Sequence, residues 1–316
     1  MSRPREPAAT ERANPASAGI DQRPTREILR IIHDQDLDAW EAVGAALEDI
    51  RRLVDRVVEA FRSGGRLLYV GAGTSGRLGV LDATECPPTY GVSPTLVQGL
   101  LAGGDAALRR SVEGAEDSPE AGARAVREAS VGDRDVVCGI ASSGTTPFVH
   151  GALAEAADRG AATALLHSNP GLTPAARIDH VILLDVGPEV VAGSTRMKGG
   201  TATKMVLTLL TTTAMIRWGK VHDNTMVDVV PLNRKLERRA RALIGRLAGV
   251  DESRAEELLE AAEGSVKVAV VMERAGVDVE AARRLLETSG GTLRAALPAA
   301  GDDTSVGGGE RAGDPR

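Results

Sequence analysis

The amino-acid sequence predicts an α/β fold: a doubly wound five-stranded parallel sheet with a small C-terminal helical bundle. Three observations carry that expectation. Between residues 66 and 186 short apolar runs alternate with helical stretches, the pattern of βαβ units joined by right-handed crossovers. Only six of the 316 residues are aromatic (Trp40, Phe61, Tyr69, Tyr90, Phe148 and Trp218). The core must therefore be built from Val, Leu, Ile and Ala, which suits parallel strands buried under Ala-rich helices. From Asp251 onward the alternation gives way to three short helical segments.

Along the chain, the opening "MSRPREPAATERANPASAG" is polar and rich in Pro and Ala, the composition of a disordered tail. "TREILRIIHDQD" then puts Ile28, Leu29, Ile31 and Ile32 on one helical stripe. "DAWEAVGAALEDIRRLVDRVVEAFRSGG" repeats the pattern until Gly64-Gly65 stops it, so two helices precede the first strand. The strands are read at "RLLYVG" (66–71), "TLVQGL" (95–100), "DVVCGIA" (135–141), "ATALLHS" (162–168) and "HVILLDV" (180–186). A long helix, "TATKMVLTLLTTTAMIRWGK", closes the unit, and polar "VHDNTMVDVVPLNRK" leads away from it. The last segments, "DESRAEELLEAA", "SVKVAVVMERAG" and "DVEAARRLLETSG", are punctuated by Gly264, Gly276 and Gly290-Gly291, with Asp278 as N-cap of the third. The expected division is an N-terminal arm (1–23), a main domain (24–245), a three-helix bundle (250–296) and a disordered tail (297–316).

Composition narrows the function. A formal charge of −6 and a pI near 5.5 argue against polyanion binding by bulk charge, and so few aromatic side chains argue against stacking on bases, so no nucleic-acid partner is expected. Nothing combines a basic start with an apolar stretch, and no run approaches the ~20 apolar residues of a membrane span, so the expectation is a soluble cytoplasmic protein with no membrane partner. Cys86 and Cys138 lack a metal or redox spacing, and the five histidines (His33, His150, His167, His180, His222) show no metal spacing either. No metal is expected.

"GAGTSGRLG" (71–79) follows the first strand with glycines in a dinucleotide-like spacing. A dinucleotide fold would place a ribose-binding carboxylate at the end of the next strand, where this chain has Gln98 and Gly99. A nucleotide cofactor is therefore not expected. What the loop does carry is hydroxyl groups. Gly73, Thr74, Ser75 and Gly76 in the first loop and Ser142, Ser143, Gly144 and Thr146 in "ASSGTTPF" both precede helices, whose N-termini favour anions. A third stretch, "VGPEVVAGSTRMKGGTATKM" (186–205), adds Ser194, Thr195, Arg196 and Lys198, with Gly193, Gly199 and Gly200 loosening its backbone. Together the three loops read as a phosphate pocket.

"GAGTSGRLGVLDATECPPTYG", "VEGAEDS", "GPEVVAGSTRMKGGTATKMVL" and "MVDVVPLNRKLERRA" resemble signature segments of the N-acetylmuramic acid 6-phosphate etherase family, bacterial cell-wall recycling enzymes of the sugar-isomerase-domain superfamily. The likeness runs from about Thr10 to about Ala296, and it implies that residues 10–23 belong to the fold. It further implies a homodimer, a small-molecule phosphosugar substrate and no cofactor. In the second loop the family usually reads Ala-Ala-Ser-Gly-Arg-Thr, whereas this chain has Thr145 at the Arg position. "GGTATK" is similar to the glucokinase regulatory protein, which binds sugar phosphates without catalysis. A binding-only relative is thus one alternative, and a phosphosugar isomerase another.

The reaction implied by the resemblance removes a D-lactyl ether from C3 of the sugar by elimination and then adds water, giving N-acetylglucosamine 6-phosphate and D-lactate. Opening the ring exposes an aldehyde that acidifies the C2 proton. The elimination needs a base at C2 and an acid at the lactate oxygen, and carboxyl groups with raised pKa suit both tasks. By the motif match Glu85, in "DATECPPTYG", is the acid/base at the lactate oxygen. Glu116, in "VEGAEDS", is its partner at C2, with Glu113 and Asp117 as alternatives. Pro87 and Pro88 are expected to end the helix that begins at the first loop. If that helix runs straight from Ser75 to Glu85 it spans about 15 Å, more than the separation of a sugar's phosphate from its C2 and C3. Glu85, or the 10–35 arm, is therefore expected to enter the pocket of a neighbouring subunit.

Overall fold

The computed structural model describes residues 9–174, 177–229 and 234–297, which fall into two compact units dividing between residues 230 and 231. In the first unit the helices α1 (Thr25–Ala45) and α2 (Leu47–Arg62) precede strand β1 (Leu67–Gly71). Then follow α3 (Gly73–Tyr90), β2 (Val97–Leu101), α4 (Ala106–Arg109), α5 (Pro119–Glu128), β3 (Val136–Ile140), α6 (Pro147–Asp158), β4 (Ala162–His167), β5 (His180–Leu183) and α7 (Lys198–Arg217). The five strands are parallel, in the order β2-β1-β3-β4-β5. This is the doubly wound fold that the alternating pattern predicts. The polar stretch after α7 forms a short antiparallel ribbon, β6 (Val221–His222) with β7 (Thr225–Met226).

Period-two alternation divides the core between the two faces of the sheet. Leu67, Tyr69, Val136, Cys138 and Ile140 bury against a layer that includes Leu53 and Val57 of α2 and Val206, Leu207 and Leu210 of α7. Leu68, Val70, Val137 and Leu165 bury on the other face, with Val126 of α5 and Phe148, Val149 and Leu153 of α6. Both cysteines are buried and free, and burial pushes each thiol up to about 12. The strand order reverses between β1 and β3, and a ligand crevice is expected beyond the carboxyl ends of these strands. No helix among the described residues is long and apolar enough to cross a membrane.

Four details differ from the sequence reading. The break between the first two helices falls at Ala46 rather than near Asp36, because no proline or glycine interrupts residues 25–43 and polar "HDQD" stays helical. On α1, Leu29, expected on the apolar stripe, is 63% exposed; it stands about 100° around the helix from Ile28 and falls off the buried side, which is formed by Ala39, Ala42 and Val43. Pro87 and Pro88 do not end α3. Their fixed φ suits a helical turn even without the N–H donors, and the helix closes at Gly91, left-handed at φ 63°, whose N–H donates to the Pro87 carbonyl.

The fourth concerns the second unit. The helix α8 (Arg234–Ile244), assigned by sequence to the main domain ending at 245, packs on α9 (Glu252–Ala261) and α10 (Val266–Ala275), burying Ala240, Leu243 and Ile244. A π-helical turn (Gly245–Gly249) links α8 to α9, and α11 (Val279–Thr288) and a short α12 (Leu293–Ala296) complete the unit. Asp251, Ser265 and Asp278 cap α9, α10 and α11, each accepting the N–H three residues on. The expected disordered tail lies, from 298 on, outside the described residues.

Candidate active site

The first loop is a tight strand-to-helix turn. A Cβ on Gly76 would stand 2.5 Å from the Gly71 carbonyl oxygen and 2.5 Å from Leu101 Cδ1, so the turn closes only with glycine there. It leaves Thr74 and Ser75 half-buried in the first turn of α3, and Ala72 supplies no side-chain cap. The start of α3 therefore leaves N–H groups and the positive end of the helix dipole beyond the end of β1, with the hydroxyl residues Thr74 and Ser75 in its first turn.

The second loop leaves β3 through Ala141, whose N–H donates to the Leu166 carbonyl, while the Ser168 N–H donates to the Ser142 carbonyl at 2.9 Å. Gly144 turns the chain at φ 74°. His150 Nε2 donates to the Gly144 carbonyl at 2.7 Å, and Asn169 Nδ2 donates to the Ser143 carbonyl at 3.3 Å. Thr145 donates to Ser143 Oγ through both its N–H (3.2 Å) and its hydroxyl (3.1 Å), so it props the loop. Sequence reasoning expected a free helix start behind this loop. Instead Pro147 brings no N–H, and the Phe148 N–H donates to the Glu116 carbonyl at 3.0 Å.

That bond ties the "VEGAEDS" segment to the second loop. Glu113 and Glu116 also line a cleft of about 360 Å³ whose walls include Gly73, Arg77 and Ser111. Glu116 thus bridges the first and second loops. Asp117 is exposed and is not part of that lining.

The third loop closes the group. A Cβ on Gly199 would meet Ser142 Oγ at 3.7 Å and Thr195 Cβ at 3.8 Å, and one on Gly200 would meet Thr74 Cγ2 at 3.6 Å. Thr74, Ser142 and Thr195, one from each loop, therefore gather around the first turn of α7. Ser194 is half-buried and Arg196 exposed beside them.

Lys198 does not join them. Its side chain is 1% exposed and ion-paired with Asp38 of α1 at 2.7 Å, with Gln35 Oε1 at 3.2 Å. A buried ammonium must be paired, and this one is satisfied from α1, so it is not a cation facing the crevice. The loop is further held by the N-terminal arm, whose 3-10 turns lie at Ala9–Glu11, Pro15–Ser17 and Ile20–Gln22. Asn14 Nδ2 donates to the Pro188 carbonyl, Ser17 Oγ to the Val190 carbonyl, and the Gly193 N–H to the Thr10 carbonyl.

Glu85 stands apart from this group. It is exposed on α3, twelve residues beyond Gly73 and so about 18 Å along the helix. It lines a groove of about 290 Å³ between α3 and α7, with Leu81, Asp82, Cys86, Lys204 and Thr208 among its neighbours. Two carboxyl groups that sequence reasoning missed are pushed up by burial. Asp82, which accepts from Tyr69 Oη at 3.0 Å and Thr211 Oγ1 at 3.2 Å, rises to about 6. Glu189, 0% exposed, is raised against the opposing pull of the Gly199 and Lys198 N–H groups. A signal for each lay in the sequence. Asp82 is one turn before Glu85, and Glu189 is a lone charge in "VGPEVV".

A family model described as the glucokinase regulatory protein N-terminal SIS domain matches residues 49–157. An N-acetylmuramic acid 6-phosphate etherase from Rhodopirellula baltica is 50% identical over 265 residues, covering 83% of this chain and 87% of that protein. One from Jannaschia sp. is 52% identical, covering 83% of each, and one from Geobacillus thermodenitrificans is 48% identical, covering 84% of this chain and 90% of its own. Among solved structures, a phosphoheptose isomerase from Neisseria gonorrhoeae aligns with 60% of this chain and all of its own at 14% identity, with a TM-score of 0.42.

Proposed function

The chain belongs to the N-acetylmuramic acid 6-phosphate etherase family, and from that premise we propose how its loops and carboxyl groups divide the work. The protein is a carbon–oxygen lyase that cleaves the lactyl ether of N-acetylmuramic acid 6-phosphate. The phosphoryl group sits at the start of α3, on N–H groups and the hydroxyls of Thr74 and Ser75, with Ser142, Ser143, Thr146, Ser194 and Thr195 around it and Arg196 at the rim. The observation that carries this assignment is the gathering of Thr74, Ser142 and Thr195, each within 4 Å of where a Cβ on Gly199 or Gly200 would stand.

Glu116, beside Gly73 in the cleft, removes the C2 proton of the ring-opened sugar. The electrons form the C2–C3 double bond as the C3–O bond breaks, and the departing lactate oxygen takes a proton from Glu85. Water then adds in reverse: Glu85 takes a proton as oxygen bonds to C3, and Glu116 returns one to C2. The products are N-acetylglucosamine 6-phosphate and D-lactate, and no cofactor enters the balance. Because Glu85 lies far along α3 from the phosphoryl position, it serves the pocket of a second copy of the chain, and the working unit is a homodimer.

The test is incubation of the purified protein with N-acetylmuramic acid 6-phosphate while D-lactate is measured. Release of D-lactate supports the reading. Its absence, with sugar phosphates still raising the melting temperature, would establish a binding-only protein instead. The shared site is tested by mixing Glu85→Gln chains with Ser75→Ala chains: activity that returns on mixing supports two-chain sites, and none returning overturns them.

A further inference from the structure

Three helices start at the candidate site, and their starts are not equivalent. At α6 the start is filled by backbone, since Pro147 has no N–H and the Phe148 N–H is held by the Glu116 carbonyl. At α7 it is filled by a side chain. The first two N–H groups, those of Lys198 and Gly199, donate to the Glu189 carboxylate at 3.0 and 2.9 Å, one to each oxygen. At α3 the residue before the helix, Ala72, provides no cap at all.

Glu189 therefore makes at α7 the contacts that two oxygens of a bound phosphate would make at an open helix start. It is fully buried, which a carboxylate tolerates only when strong donors replace its water, and two N–H bonds with the helix dipole behind them do so. The chain is shaped around it. Gly199 is the residue that allows the approach, since a Cβ there would stand 3.2 Å from Glu189 Oε1. Lys198, whose N–H holds the carboxylate, sends its own ammonium away to Asp38. The same missing Cβ would also stand within 4 Å of Ser142 Oγ and Thr195 Cβ, so the carboxylate shares its surroundings with residues of the second and third loops.

We propose that Glu189 is a specificity-determining residue: its carboxylate permanently holds the anion position at the start of α7 and so confines the substrate's phosphoryl group to the start of α3. The proposal rests on the phosphosugar reading of this site. The Glu189 carboxylate takes up the first N–H groups of α7, so the third loop reaches the substrate only through neutral hydroxyls, while the N–H donors to the phosphoryl group come from the start of α3. A substrate that carries both a phosphoryl group and the lactyl carboxylate is thereby oriented, with one permitted place for its phosphoryl dianion. Glu189 touches no reacting atom and acts through the α7 turn that it holds.

The test measures inorganic phosphate binding by titration calorimetry, together with steady-state kinetics. Wild-type protein binds one phosphate per chain. Glu189→Ala, which opens the second helix start, binds two. Glu189→Gln keeps the shape without the charge and serves if the alanine variant does not fold: phosphate raises its melting temperature more than that of wild type, and KM rises about tenfold while kcat stays within about twofold. A merely structural residue would lower stability without adding a phosphate or splitting KM from kcat. One phosphate per folded variant chain, with unchanged KM, overturns the proposal. Failure of the underlying site reading looks different: wild-type protein itself would then bind no phosphate and release no D-lactate.

Discussion

α3 and α7 pack against one another, and both begin in a glycine-rich loop with hydroxyl side chains in or just before the first turn. Read as sequence, both contribute to one phosphate pocket. In the fold they are opposites: the first turn of α3 is bare, whereas that of α7 is saturated by Glu189, and its lysine is consumed by α1. The difference teaches that a donor motif marks an anion site only if nothing in the rest of the chain already satisfies it. The satisfying group can come from the same loop, as Glu189 does nine residues before Lys198, or from 160 positions away, as Asp38 does.

The contrast can be broken hardest at α3. Gly76→Ala forces a Cβ against the Gly71 carbonyl, which is backbone and cannot swing aside. The expected loss is about 3 kcal/mol in urea unfolding, with phosphate binding abolished. Near-wild-type stability would show that this turn is looser than its geometry. At α7 the matching change is Lys198→Met. It leaves Asp38 without its partner, but Asp38 is 43% exposed and water takes over part of the interaction. A loss of about 2 kcal/mol is expected, with the phosphate affinity kept within about threefold. A collapse of phosphate affinity at unchanged stability would return Lys198 to the role that its sequence position suggested.

The smallest effect sharpens what lies between the two helices. Asp82 on α3 bonds to Thr211 on α7, and burial raises its pKa from 3.8 to about 6. A carboxyl raised in the folded state contributes stability that is fully present below its unfolded pKa and is lost as pH rises through the folded one. The wild type should therefore lose stability between about pH 4 and pH 6, by on the order of 1–2 kcal/mol after allowance for partial exposure. Asp82→Asn should be flatter over that window and gain on the wild type as pH rises. Parallel stability curves for the two proteins would count against the assignment.

Much of the fold was legible because strands buried on both faces read as apolar runs, and four of the five lie within the stretches read from sequence, with β2 ending one residue later, at Leu101. Helix ends were harder. Pro87 and Pro88 are strong stop signals in isolation, but α3 passes both and stops at Gly91. The small unit shows the same limit: α8 is so highly charged that its buried apolar residues, Ala240, Leu243 and Ile244, did not reveal which unit buries them. At the site, the first two hydroxyl loops could be placed because they follow β1 and β3 directly, whereas Glu116, beyond α4, was located only by the motif match. The tasks of Lys198 and Glu189 could not be read, because they depend on which oxygen reaches which donor after α1, the third loop and α7 have come together.

The attachment of the N-terminal arm bears on how the protein is handled. Thr10, Asn14 and Ser17 hold the backbone of the third loop at Gly193, Pro188 and Val190, so trimming the chain to the start of α1 would unmoor a wall of the pocket while leaving every sheet residue in place. An affinity tag is best placed at the far end of the chain. A protease cut between Ser17 and Thr25 should silence the protein long before it unfolds it.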